Sequence, residues 1–133
     1  MPVGIVIVSH SPKLAEGIRD MAEQMAGGMI NIRAVGGTAD GSLGTNPDAI
    51  LDALRAADGG DGILVMMDLG SAGRSAETAL ELAAGSLSSR VVLSDAPLVE
   101  GAIVAAVEAS IGHGLDEVAA AALGARSMNK VNH

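Results

Sequence analysis

Short β-branched runs alternate along this chain with longer stretches whose apolar residues recur at helical spacing. The first run, Val3 to Val8, predicts a strand buried on both faces. It stops at Ser9-His10-Ser11-Pro12, where Ser11 is placed to cap a helix and Pro12 to fill its first position. That helix runs to about Met25, with Leu14, Ile18, Met21, Ala22 and Met25 as its apolar stripe, and Gly27-Gly28 ends it. A second strand is expected over Met29 to Val35, followed by a Gly-rich loop from Gly36 to Thr45. Asn46-Pro47 repeats the cap-plus-proline signal and opens a helix to about Ala57, with Ile50, Leu51 and Leu54 inward. Gly62 to Met67, the most apolar run, predicts a central strand, and a helix follows from about Ala72 to Ala84. A fourth strand over Arg90 to Leu93 precedes helices over Leu98 to Ser110 and over Leu115 to about Ala125.

Strict strand–helix alternation predicts an α/β fold. The expectation is a single-domain, doubly wound, mostly parallel sheet of about four strands in the order 2-1-3-4, with helices on both faces and right-handed crossovers. The domain covers residues 1–126, and 127–133 reads as a flexible tail carrying His133.

Composition then removes several functions. The chain has no Phe, Tyr or Trp, so the platforms that usually stack bases, sugars and flavins are missing. A net charge of -8, with the Lys and Arg residues scattered, argues against nucleic acid; it either suits a partner that is basic around its docking site or simply keeps the protein in solution. Zero Cys excludes disulfides and thiolate metal sites. The start, Met1-Pro2-Val3-Gly4, lacks the pattern of a secretory signal, and no apolar run approaches membrane-spanning length, so a cytoplasmic protein is expected.

Candidate chemistry is concentrated in one place. Ligands of open parallel sheets bind at the carboxyl ends of the strands, and the polar residues fall at those ends: Ser9, His10 and Ser11 after the first strand, Gly37 to Thr45 after the second, Asp68, Gly70 and Ser71 after the third, Ser94 and Asp95 after the fourth. His10 stands at a helix start, whose N–H groups and dipole favour an anion and disfavour a cationic ring. It is therefore the candidate nucleophile, suited to carrying a phosphoryl group; no cluster of further ligands supports a metal. Asp68 either orients His10 and fixes its tautomer or caps the next helix. Gly37 to Thr45 either cradles phosphate through its backbone or is a mobile loop, for it lacks the Gly-Lys-Ser/Thr ending of a nucleotide loop. Ser71 either donates to phosphate or caps its helix, and His113 reads as structural.

Other histidine and aspartate chemistries fit poorly. A receiver domain needs an acidic pair after the first strand, where Ser9-His10 stand. A histidine phosphatase has Arg just before its His, and here the residue is Ser9.

Four segments, Ile5 to Ser11, Val65 to Ala72, Ser75 to Thr78 and Ala96 to Ala102, together resemble the IIA domains of mannose-type sugar phosphotransferase systems. Within that superfamily they resemble the phosphotransferase subunits (DhaM) of phosphoenolpyruvate-dependent dihydroxyacetone kinases. The match spans roughly residues 2 to 125. The sugar transporters usually carry Phe-Gly-Gly-Ser-Pro after the strand-three Asp; Leu69-Gly70-Ser71-Ala72-Gly73 favours the dihydroxyacetone branch. The resemblance implies that His10 is phosphorylated, on Nε2, with Asp68 orienting it and with Ser11, Gly37, Thr38, Gly70 and Ser71 around the phosphate. It implies the phosphocarrier HPr as donor and ADP on the DhaL subunit as acceptor, with DhaK holding dihydroxyacetone. Mg²⁺ and ADP would belong to DhaL, this chain binding no cofactor or metal of its own. Members are usually homodimers, and some carry fused phosphocarrier and Enzyme I-like domains, which this sequence lacks. The alternatives are a IIA component feeding a sugar permease and a regulatory partner controlled by phosphorylation.

Overall fold

The computed structural model describes residues 2–131. Its elements are β1 (Gly4–Ser9), α1 (Pro12–Ala26), β2 (Ile32–Gly36), α2 (Pro47–Ala57), β3 (Ile63–Met67), α3 (Gly70–Ala83), β4 (Val91–Leu93), α4 (Leu98–Ser110) and α5 (Leu115–Gly124), then a 3-10 turn, Ala125–Ser127. The four strands are parallel in the order β2-β1-β3-β4. β1 and β3 are the inner strands, as their apolar runs require.

Alternate side chains of the inner strands feed two separate cores, because successive residues of a strand face opposite sides. Ile5, Ile7, Leu64 and Met66 pack with α1, α4 and α5, whereas Val6, Val8, Ile63 and Val65 pack with α2 and α3. Without aromatic residues, the layers close by near contact of small side chains: Ala15, Ala22 and Ala26 of α1 and Ala102, Ala105, Ala106 and Ala109 of α4 share the first core.

Helix starts follow the cap signals. Ser11 accepts from the N–H of Leu14, and Asn46 from that of Asp48. Gly27, in the left-handed region at φ 74°, ends α1.

Three expectations are corrected. In α1 the inward residues are Ala15, Ile18, Ala22 and Ala26, while Leu14, Met21 and Met25 stay substantially exposed. β2 begins at Ile32 rather than Met29, since Met29 is exposed and the Asn31 side chain turns to the carbonyl of Ala56. α3 begins at Gly70, two residues early. Of the expected tail, the Lys130 ammonium is held 2.6 Å from the Glu100 carboxylate, and His133 lies outside the described residues. No helix among the described residues is long and apolar enough to cross a membrane.

Candidate functional site

The register of the inner strands decides the site. β1 and β3 pair with Val8 beside Met67, so the residues that follow them, His10 and Asp68, leave the sheet together. The Nδ1 of His10 is 3.0 Å from Oδ1 of Asp68, and the backbone N–H of His10 donates to Oδ2 at 2.9 Å. Nε2 of His10 lies 2.7 Å from the Ser71 hydroxyl, in the first turn of α3. With Asp68 ionised, Nδ1 carries the ring proton and Nε2 the lone pair, which accepts from Ser71.

Asp68 is bound on every side. Besides the two His10 contacts, it accepts from the Leu69 N–H at 2.7 Å and from the Ser9 hydroxyl at 2.9 Å. Burial raises its carboxyl, but the bonds from the His10 backbone and ring, from Ser9 and from Leu69 outweigh that and hold it below the ordinary carboxylate value. Among the described residues no group of three or more His, Cys, Asp or Glu is placed to hold a metal.

Two helix N-termini converge here. α1 begins directly after the His10-Ser11 turn, and α3 begins beside the His10 ring. α1 and α2 are capped by side chains, but the cap position of α3 is Leu69, which has no capping atom, and no side chain bonds its first turn. Apolar residues are poor caps because they leave the first N–H groups unsatisfied. Ser71 is inside that turn with its hydroxyl given to His10, so the capping role weighed for it falls away. Each helix end favours an anion by roughly 0.3–1 kcal/mol.

The Gly-rich loop lies against the same turn. The Gly44 N–H donates to the carbonyl of His10 at 2.9 Å. A Cβ at Gly36 would sit 2.8 Å from the carbonyls of Ser9 and Ser11, so only glycine lets β2 end this close to the His10 turn. Gly37 has φ 83° and packs on the Pro12 ring. Thr38 gives its N–H to the carbonyl of Ser42 and its hydroxyl to Asp40, so both donors are engaged within the loop. The Thr38 hydroxyl and the Ser42 backbone hold the exposed Asp40 carboxyl at about 2. The Ser11 hydroxyl oxygen accepts from the Leu14 N–H as the α1 cap.

The sequence places Ser9 among the polar residues at this strand end but assigns it no role; it is fully buried at the end of an apolar strand. Its signal was available: a hydroxyl in a strand otherwise made of Ile, Val and Gly has to find a partner inside.

No enclosed pocket forms around Nε2. Clefts of about 180 and 230 Å³ lie to one side, between Met67, Gly70, Ser94 and Asp95, while larger ones of about 470 and 490 Å³ open at the other end of the sheet.

Known proteins resemble this chain in sequence and in fold. The family described as "PTS system fructose IIA component" matches residues 4–119. A phosphoryl donor subunit DhaM of PEP-dependent dihydroxyacetone kinase 2 from Listeria innocua is 45% identical over 82% of this chain and 87% of its own length. DhaM proteins of Klebsiella michiganensis and Escherichia coli are 42% and 43% identical over 97% and 87% of this chain, which spans only 28% and 25% of their length. A crystal structure of a protein of unknown function, 40% identical, superposes on 99% of this chain and 100% of its own with a TM-score of 0.85. The mannose/sorbose specific IIA subunit from Enterococcus faecalis, 22% identical and with a TM-score of 0.59, shares the fold. Sequence, fold and site thus lead to one conclusion: the chain belongs to the phosphotransferase-system IIA family, and within it to the DhaM-type phosphoryl donor subunits of PEP-dependent dihydroxyacetone kinases.

Proposed function

We propose that this protein carries a phosphoryl group on Nε2 of His10, taking it from the phosphohistidine of the phosphocarrier HPr and passing it to ADP on a DhaL subunit, for transfer to dihydroxyacetone held by DhaK. The observation that carries the reading is the pair of contacts on the His10 ring: Nδ1 to the Asp68 carboxylate and Nε2 to the Ser71 hydroxyl. In the first step the Nε2 lone pair attacks phosphorus in line. The Nε2–P bond forms as the donor's N–P bond breaks, and the leaving imidazole keeps that electron pair. The proton on Nδ1 stays in place, so the ring becomes a cation facing the Asp68 anion. Ser71 swings its O–H from Nε2 to a phosphoryl oxygen, and the phosphoryl oxygens take the place of the missing α3 cap by accepting from the Gly70 and Ser71 N–H groups. In the second step a β-phosphate oxygen of ADP attacks the same phosphorus, Nε2 recovers its lone pair, and ATP forms on the partner. Nothing more is asked of the protein than positioning and charge stabilisation.

The test is label uptake from radioactive phosphoenolpyruvate with Enzyme I and HPr, which His10→Gln abolishes. Persisting uptake overturns the reading. Discharge of the labelled protein by ADP-loaded DhaL, and not by a sugar-permease IIB domain, identifies the acceptor. Following the habit of the family, the protein acts as a homodimer in the cytoplasm; light scattering giving twice the 13.1 kDa chain mass tests the first of these.

A further inference from the structure

The phosphoryl-carrier reading uses His10, Asp68 and Ser71, yet it leaves unexplained a hydroxyl that is fully buried beside them. Ser9 closes β1 with no solvent exposure. Its Oγ accepts the Ser11 N–H at 3.0 Å and lies 2.9 Å from Oδ2 of Asp68. A hydroxyl has one proton to give. Because Ser9 already receives the Ser11 amide and Asp68 is an acceptor, that proton points at Asp68.

The consequence lies in the count around the carboxylate. Oδ2 takes the Ser9 hydroxyl and the His10 N–H, and Oδ1 takes the His10 ring and the Leu69 N–H. A carboxylate offers about four lone-pair sites, and here all of them are filled. Three of the four donors are parts of His10 or the next backbone amide. Ser9 alone brings a side chain from outside the pair. It links the Asp68 charge to the N-terminal turn of α1, where the Ser11 amide lies.

We propose that Ser9 is a positioning residue for phosphoryl transfer, its hydroxyl locking the Asp68 carboxylate in the ionised, ring-facing state that keeps the proton on Nδ1 and the lone pair on Nε2. The inference rests on the phosphoryl-carrier reading for its role, but not for its geometry. Without the hydroxyl, Oδ2 keeps one donor instead of two. The carboxylate then gains freedom to turn about its bond, and protonation competes more easily for the vacated site. The downward pull of Ser9 on the Asp68 carboxyl, weaker than those of the His10 backbone and ring, has the sign this requires.

The experiment is a double-mutant cycle between Ser9→Ala and Asp68→Asn, read as the rate of His10 phosphorylation by HPr. In the wild-type background Ser9→Ala slows phosphorylation by about tenfold, the worth of a hydrogen bond to a charged group. In the Asp68→Asn background the same change has little further effect, since the charge it served is gone. Equal losses in both backgrounds overturn the proposal and leave Ser9 a packing residue. A second readout needs no partner: carbon NMR of the Asp68 carboxyl, whose titration moves to higher pH in Ser9→Ala, and nitrogen NMR of His10, whose Nδ1–H tautomer becomes mixed. Ser9→Cys, of similar size and with a weaker donor, falls between Ser and Ala on both measures, and serves alone if Ser9→Ala does not fold. If the NMR signatures stay unchanged the proposal fails, whatever the partner. If they move while no variant, nor the wild type, accepts label from HPr, it is the carrier reading that fails.

Discussion

Two histidine–carboxylate pairs occupy opposite ends of the sheet, and their surroundings differ in burial, in nearby charge and in the number of helix N-termini that face them. At the carboxyl ends of the strands, His10 meets Asp68, with side-chain exposures of 26% and 14%. At the amino ends, Nδ1 of His113 bonds Glu108, with exposures of 40% and 29%, and Glu117 stands 3.9 Å away. The first pair lies between two helix N-termini. The second follows the C-terminus of α4, where the His113 N–H bonds the carbonyl of Glu108 and the dipole repels an anion. Asp68 accepts four bonds and leaves Nε2 aimed at a hydroxyl; around His113 the neighbours add negative charge. A pair of residue types does not make a carrier.

The largest test of that contrast is to remove each ring. His10→Gln eliminates label uptake, and His113→Gln leaves it within about twofold, as expected of a surface position. Loss of uptake in both would mean that the amino-end pair takes part in the transfer. The carboxylates come next. Asp68→Asn slows phosphorylation by about 10²-fold or more, because an amide no longer fixes the tautomer. Glu108→Gln leaves the rate unchanged and lowers stability by roughly 0.2–1 kcal/mol, as for an exposed pair. Rate assays and denaturant titrations of the two variants side by side check both halves.

Acid unfolding adds a third test. The Asp68 carboxyl is held below its ordinary value, with burial opposing and the bonds from His10, Ser9 and Leu69 prevailing. A depressed carboxyl contributes stability that is fully present above the unfolded pKa of about 3.9 and is lost as pH falls through the lower folded value. The stability difference between wild type and Asp68→Asn therefore shrinks below about pH 4. A difference that stays constant down to pH 2 would show that the Asp68 charge contributes nothing to the fold.

Much of this was legible beforehand, and most of the failures share a cause. The cap-plus-proline signals at Ser11-Pro12 and Asn46-Pro47 placed two helices to within a residue, because capping is local chemistry. The pairing of His10 with Asp68 followed from the strand order 2-1-3-4, a common one for a small doubly wound sheet, which the structure shows. The inward face of α1 was read correctly at Ile18 and Ala22 but misread elsewhere, because hydrophobicity ranks Leu14, Met21 and Met25 above Ala15 and Ala26, while the alanines of α4 admit only small partners. The start of α3 was misread because Leu69 gives no cap signal. Ser9 was given no role because that role depends on an Asp 59 residues away. Apart from the α3 start, what was lost is set by a distant neighbour rather than by local sequence.

That misread helix start supplies the finest test of the contrast between the two ends. α3 and α5 both begin without a side-chain cap, at Leu69 beside His10 and at Gly114 beside His113. If Leu69 is there so that a phosphoryl group can serve as the cap, Leu69→Ser supplies a permanent substitute. The unphosphorylated protein then gains about 1 kcal/mol, while phosphorylation by HPr slows, because the incoming group must displace a bond already made. At the other end a Cβ on Gly114 meets nothing within 4 Å, so Gly114→Ser is tolerated. Serine improves on glycine as a cap by only a few tenths of a kcal/mol, and the transfer rate does not change. Thermal melts and label uptake of the two variants decide it: a Leu69→Ser protein that is more stable and equally fast leaves the absent cap without a function.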